Sequence, residues 1–255
     1  MKRQAVIIVN PGESGKKGYL KGALKDADIW QEYLKSLSGG EWYSHEIETF
    51  INEDKSTVKN FLKQCEADYG FVAFSGHGFY GDISKLTFCK LDDGFLSEEE
   101  LCFPKIDKQT ISIDACREET SEEAMLKLLI KARMFAELGE ERRTSTRKYF
   151  DSQIRSNSPG VIWLFGASKN EEAGEDEDGG DYTRSIIECG KEFSLDKKTR
   201  NDIFDVEDAI LASEVYIKKF KPVRKITQTP CIKRGRRALN FPFAVNLYDK
   251  TLEFS

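Results

Sequence analysis

Phe71-Val72-Ala73-Phe74-Ser75-Gly76-His77-Gly78 and Thr110-Ile111-Ser112-Ile113-Asp114-Ala115-Cys116-Arg117 decide how this chain folds. Each starts as an apolar, β-rich run and breaks into a short motif with a reactive side chain. Such runs read as strands, and strands separated by helical segments favour a mostly parallel sheet with helices on both faces. In such sheets ligands gather at the carboxyl ends of the strands. His77 and Cys116 each sit just past a strand end, so two neighbouring strands bring them together although 39 positions separate them. A cysteine with a histidine upstream is the arrangement of a thiol nucleophile and its base. The glycines beside His77 let the backbone approach a bound carbonyl, which makes the amides of Gly78 and Cys116 candidate oxyanion donors.

Outward from these motifs the strand-then-helix pattern repeats. Ala5–Val9 is a β-branched run closed by Asn10-Pro11-Gly12, and apolar residues at helical spacing run from Leu20 to Leu37 until Ser38-Gly39-Gly40 stops them. A strand is expected around Trp42–Glu48, a helix over Ser56–Gln64 capped by Asp54 or Ser56, and a strongly helical stretch over Ser121–Leu138. Val161–Phe165 and Phe243–Leu247 supply the last two strands. The result is an α/β three-layer sandwich, with a mostly parallel central sheet of about six strands and helices on both faces.

A chain of 255 residues, 39% hydrophobic, can bury a full core within a single domain spanning 1–255. Its net charge of −5 leaves no basic excess for phosphates, so no nucleic acid is expected as a partner. The segment Lys233-Arg234-Gly235-Arg236-Arg237 reads as a solvated loop. Six scattered cysteines and two histidines give no zinc spacing, so no resident metal is expected. The absence of a signal-like start or a spanning apolar stretch points to a cytoplasmic location with no membrane span. The loop Asn10–Lys17 follows a strand and carries Gly15-Lys16, yet it lacks the first glycine and the final hydroxyl of a phosphate-binding loop.

The two reactive motifs resemble those of a known family. Asp114-Ala115-Cys116-Arg117 resembles the caspase signature Gln-Ala-Cys-Arg-Gly, and Phe74-Ser75-Gly76-His77-Gly78 is similar to the histidine motif of caspases and metacaspases. Leu20-Lys21-Gly22-Ala23-Leu24-Lys25-Asp26-Ala27 is similar to the Leu-x-Gly-x-x-x-Asp-Ala segment that opens the first helix of metacaspases. Val161–Ser168 and Gly180–Ile187 resemble the small-subunit half. The resemblance implies a caspase-like domain with a large-subunit-like half over about 1–138 carrying the dyad, an exposed connector over about 139–158, and a small-subunit-like half over about 159–255. It also implies a cysteine endopeptidase acting on protein substrates, with Cys116 as nucleophile and His77 as base. Such a peptidase is switched on by a signal, an activating protein or an upstream protease in a cell-death, defence or stress cascade.

Asp114 stands where caspases have glutamine, as it does in metacaspases, where this carboxylate lines the pocket for the residue before the cut. A buried carboxylate there attracts Arg or Lys, so cleavage after Arg or Lys is expected. Glu171 and Glu172, placed after the Val161–Phe165 strand, are expected to add charge to that pocket. Arg142, Arg143, Arg147 and Lys148 match the same specificity and are the expected processing sites. No cofactor is required, but many metacaspases respond to calcium, and Asp92, Asp93, Glu98–Glu100 and the carboxylates of Glu171–Asp178 are the oxygen ligands the chain could offer. Glu118 replaces the signature's last glycine, which leaves a non-catalytic caspase-fold scaffold or signalling module as the alternative function.

Overall fold

Alternation along the first strand shows how the layers form. In the computed structural model, which describes residues 1–120, 145–199, 201–220, 227–235 and 240–248, Ala5, Ile7 and Val9 enter one core cluster while Val6 and Ile8 enter another. Both faces of strand β1 (Arg3–Asn10) are therefore buried, and a side-chain period of two becomes an unbroken apolar run. The neighbouring strands are β2 (Ile47–Ile51), β3 (Tyr69–Gly76), β4 (Lys108–Asp114), β5 (Gly160–Phe165) and β6 (Cys231–Arg234). Together they form a six-stranded sheet in the order β6-β5-β4-β3-β1-β2, parallel throughout except for β6, which runs antiparallel to β5.

Five helices are seen among the described residues: α1 (Lys21–Lys35), α2 (Lys55–Gln64), α3 (Ser145–Ser156), α4 (Asp181–Leu195) and α5 (Val206–Phe220). One face of the sheet is covered by α1, α3, α4 and α5, with Trp30, Tyr33, Phe150, Ile186 and Ile210 in its core. The other face is covered by Val58 and Leu62 of α2 together with Cys89, Leu91, Leu96 and Phe103. Those last residues belong to a region whose small four-stranded sheet pairs Gly78–Gly81, Thr87–Lys90, Phe95–Ser97 and Glu119–Thr120. Each large apolar side chain removed from water here contributes about 1.5–3 kcal/mol. Asp54 caps α2 by accepting the Thr57 amide at 2.7 Å, as its sequence position implies.

Three expectations are corrected. Strand β2 starts at Ile47 rather than Trp42, because Trp42 is buried in the core and Ser44–Glu46 form a tight helical turn before the chain extends. Pro242–Val245 does not join the main sheet. It pairs antiparallel with Ile203–Asp205 in a separate ribbon, and the sixth strand is Cys231–Arg234, part of the basic segment that reads as a loop. An edge strand tolerates such charge. Lys233 reaches the buried carboxylate of Glu98 at 2.6 Å over the Trp163 ring, and Arg234 pairs with Glu207.

The third correction concerns the expected connector over 139–158, whose second half is helix α3. Arg147 is only 1% exposed. Its guanidinium forks onto Glu46 at 2.8 and 2.5 Å, bonds the Glu41 carbonyl at 2.7 Å and lies 4.0 Å from the Tyr43 ring centre. A protease cannot reach it, so Arg147 is a structural cation rather than a processing site. Lys148 is exposed, yet its backbone lies in the same helix. Arg142, Arg143 and the Ser121–Leu138 segment lie outside the described residues.

Candidate active site

Strand register brings the two reactive motifs together. β3 and β4 are neighbours with Ser75 opposite Asp114, so His77 and Cys116, each two residues further on, emerge side by side at the carboxyl end of the sheet. On the other flank of β3, Asn10 of β1 lies opposite Gly76. The loop leaving β1 then passes over the histidine. His77 Nε2 lies 2.5 Å from the Gly18 carbonyl oxygen. A carbonyl can only accept, so Nε2 carries the proton of the neutral ring and Nδ1 keeps its lone pair to take another. The loop that sequence compared with a phosphate-binding loop thus fixes the tautomer of His77.

Cys116 is half-buried, and its Sγ accepts the Ala173 amide at 3.4 Å. Burial pushes the Cys116 thiol up, against the Ala173 hydrogen bond, and the charges of Glu172, Asp114 and Glu118 push it further. Burial and these charges favour the thiol form of Cys116 over the thiolate. Gly78 begins the short strand paired with Thr87–Lys90. Because the Lys90 amide bonds the His77 carbonyl, the ladder's alternation turns the Gly78 amide away from Cys89. A methyl group on Gly78 would stand 2.8 Å from the Ala115 side chain and 3.2 Å from the Cys116 carbonyl, so glycine is needed for the two motifs to touch.

An open cleft is lined by His77, Cys116, Leu20, Ala23, Ser75, Asp114, Ala173, Glu175 and Gly180, among others. Asp114 is 6% exposed. Its Oδ2 accepts both the Thr183 amide at 3.1 Å and the Thr183 hydroxyl at 2.8 Å, so Oδ1 stays available to a ligand. Burial pushes the Asp114 carboxyl up to about 6, against its bonds from Thr183, with Asp181 and Glu175 adding to the rise. Directly behind lies Asp26 of α1, fully buried, accepting the Gly180 amide at 2.8 Å and a short bond from the Ser75 hydroxyl. Burial, and then the charge of Asp114, push the Asp26 carboxyl well above the usual carboxylate range. An acidic cleft next to a thiol is suited to a cationic side chain.

The sequence-predicted residues are not all in this cleft. His77, Gly78, Asp114 and Cys116 converge. Glu171 does not join them. Its carboxylate is taken by the Ser168 amide and by the amide and hydroxyl of Thr229, which tie the loop after β5 to the chain leading into β6. Glu172 is exposed and outside the cleft lining, though close enough to act on the Cys116 thiol. Glu175, four residues beyond Glu171, is the carboxylate that lines the cleft.

Sequence reasoning missed the roles of Asp26, Ser75 and Glu175. Asp26 did leave a signal, since an aspartate between Ala23 and Trp30 interrupts the buried face of an amphipathic helix. Arg117 is buried and bonds Thr87 Oγ1, the Ala167 carbonyl and Cys231 Sγ at 3.0–3.2 Å, stacking 3.9 Å from the Phe165 ring centre. It anchors the loop after Cys116 to β5 and β6. Glu98 and Glu100 already accept lysines, Asp93 accepts the Lys55 amide, and Asp176 pairs with Arg184. Among the described residues no group of three or more His, Cys, Asp or Glu could hold a metal ion. No helix described is long and apolar enough to cross a membrane.

Comparison with known proteins agrees with the fold. The crystal structure of caspase-1 from Spodoptera frugiperda superposes with a TM-score of 0.58 over 91% of this chain and 86% of that one, at 14% identity, a likeness of fold alone. A search of curated proteins found no match. A family model described as a caspase domain matches residues 2–241, nearly the whole chain, and by that match the chain belongs to the caspase-domain family of cysteine peptidases.

Proposed function

We propose that this protein is a cysteine endopeptidase that cleaves proteins after Arg or Lys, with Cys116 as nucleophile and His77 as base. The observation that carries the reading is a single cleft lined by His77 and Cys116 and floored by the buried carboxylate of Asp114. A substrate's basic side chain enters beside Asp114, which places its carbonyl carbon over Sγ. Nδ1 of His77 takes the thiol proton as sulfur attacks, and the oxyanion is held by the amides of Gly78 and Cys116. His77 then donates that proton to the leaving amine, and water attacks the thioester with His77 again as base.

The thiol, raised by burial, supports a resting state that a signal, activator or upstream protease must release. Arg142 and Arg143 remain the processing sites consistent with the cleft. Calcium is one trigger to test. Fluorogenic peptides ending in Arg, Lys or Asp, with and without calcium, beside Cys116→Ala, test the reading. Turnover after Arg or Lys that vanishes in the variant is expected. Turnover after Asp, or turnover that survives Cys116→Ala, would refute it. Silence of the wild type under every activating condition would favour the non-catalytic scaffold.

A further inference from the structure

We propose that Gln228 is a positioning residue for Cys116, gripping the Ala173–Gly174 peptide so that the Ala173 amide stays seated on Sγ. This rests on the peptidase reading above and deepens it. Gln228 lies just before β6 and is fully buried. Its side chain spans two stretches of backbone. Oε1 accepts the Gly174 amide at 3.0 Å, and Nε2 donates to the Gly166 carbonyl at 3.1 Å. A backbone N–H can only meet the amide oxygen and a carbonyl only the NH₂, so these partners fix which way the side chain is turned.

The two partners stand at opposite ends of the loop after β5. Gly166 is the fixed end, because its own amide bonds the Ile113 carbonyl of β4 at 2.8 Å. Gly174 is the end that lines the cleft, and its carbonyl accepts the Asp181 amide at 2.8 Å. Only the Ala173 Cα separates the planar peptide that Gln228 grips from the amide that donates to Cys116 Sγ at 3.4 Å. Gln228 therefore ties the root of the loop to the part that meets the sulfur.

Thr229 holds the middle of the same loop. Its amide and hydroxyl take the Glu171 carboxylate, and its carbonyl accepts the Ser168 hydroxyl at 2.9 Å. The Glu171 carbonyl in turn accepts the Arg117 amide at 2.9 Å. The loop thus touches Cys116 at its sulfur through Ala173 and the backbone just after it through Glu171. The Ala173 bond favours the thiolate, against burial. Losing the grip of Gln228 removes that donor and frees the direction of Sγ relative to His77, and a misplacement of about 1 Å costs on the order of a hundredfold in rate.

The test uses the full chain and a peptide ending in Arg. Gln228→Met keeps length and volume but makes neither bond. The expected result is a fall in kcat of roughly tenfold or more, with KM changed by less than about threefold. In ¹H–¹⁵N spectra of the wild type, the Ala173 amide signal should move when Cys116 is replaced by alanine. In the Gln228→Met background it should no longer respond. Gln228→Asn, whose amide is one methylene too short to reach both partners, should show the same loss and covers the case in which Gln228→Met does not fold. Gln109→Met is the control. Gln109 is likewise buried and bonds the backbone of Phe103 and Ile106, but it lies near the start of β4, at the other end of the sheet from Cys116. Its loss should lower Tm without moving kcat or the Ala173 signal.

An Ala173 signal that still responds in the Gln228 variants overturns the inference, as does an unchanged kcat or a loss that Gln109→Met matches. Each of these leaves the peptidase reading standing wherever the wild type turns the peptide over. A lost response in the Gln228 variants, with a wild type silent under every activating condition, supports the hold of Gln228 on the thiol and overturns the catalytic reading.

Discussion

Replacing Asp114 by asparagine should stabilise the empty protein while abolishing the proposed preference for basic residues. The carboxyl is pushed from 3.8 up to about 6, chiefly because burial disfavours its charge. A carboxylate whose folded pKa is raised binds its proton more tightly folded than unfolded. Its contribution to stability is thus fully present below the unfolded pKa and is lost as pH rises from about 4 through about 6. At pH 7.5 the ionised group costs on the order of 3 kcal/mol, from about two units at 1.36 kcal/mol each. Asparagine keeps an oxygen for the Thr183 amide and hydroxyl, so most of that cost disappears. Some of the gain is offset by fitting an amide NH₂ where an acceptor stood, which leaves roughly 1–3 kcal/mol and a rise in Tm of several degrees.

The same change removes the counter-charge of a buried substrate cation, worth about 3–5 kcal/mol when one partner is deleted, so kcat/KM for an Arg peptide falls by more than roughly a hundredfold. Differential scanning calorimetry at pH 4 and pH 7.5, paired with peptide kinetics, checks both halves. The stabilisation should be present at pH 7.5 and nearly absent at pH 4. A variant that melts lower at pH 7.5, or that cleaves the Arg peptide as the wild type does, would refute the picture of a strained carboxylate held for a cation.

Glu172→Gln should lower the Cys116 thiol pKa by removing a like charge, so the rate of Cys116 alkylation by iodoacetamide against pH moves to lower pH by less than about one unit; an unmoved profile would show that Glu172 does not act on the thiol. Gly18→Ala places a side chain at φ +85°, a backbone conformation that disfavours it, and so shifts the carbonyl that holds His77 Nε2. A drop in kcat of about tenfold or more with little change in KM is expected, and ¹⁵N spectra of the histidine ring should lose the Nε2–H tautomer. Arg147→Ala leaves Glu46 buried without its partner and should cost about 3–5 kcal/mol in urea unfolding, where a surface residue would cost almost nothing. Intact mass after activation should show ends at Arg142 or Arg143 and none at Arg147.

What the sequence made legible was whatever two neighbouring strands could carry by themselves. β3 carries the apolar run Phe71–Phe74 because both its faces are covered, β4 contributes the buried Ile111 and Ile113, and the residues just past their ends are adjacent because the register places Ser75 opposite Asp114. His77, Gly78, Asp114 and Cys116 could therefore be named from local pattern. The rest of the cleft comes from contacts that no window of sequence contains. Glu175 matters because it meets Gly22, and Asp26 because it meets Ser75 and Gly180. Glu171 fits the acidic-loop pattern better than Glu175 does, yet Thr229 occupies it. Composition cannot separate two carboxylates four residues apart on one loop, since the difference lies in which donors the fold brings to each.

The basic segments misled for the opposite reason. Arg147 and Lys233 look solvated by type, but one is matched by Glu46 inside the core and the other by the buried Glu98. A buried charge is tolerated only where a specific partner meets it. In the acidic cleft, by contrast, the hydrogen bonds seen at Asp114 and Asp26 among the described residues come from Thr183, Ser75 and Gly180 and from no cation. Asp114 and Asp26 are buried side by side with their carboxyls raised, while Arg117, three residues after Asp114, turns instead toward Thr87, Ala167 and Cys231. With Arg117 committed elsewhere, the raised carboxyls of Asp114 and Asp26 are what the proposed basic side chain of a substrate would meet.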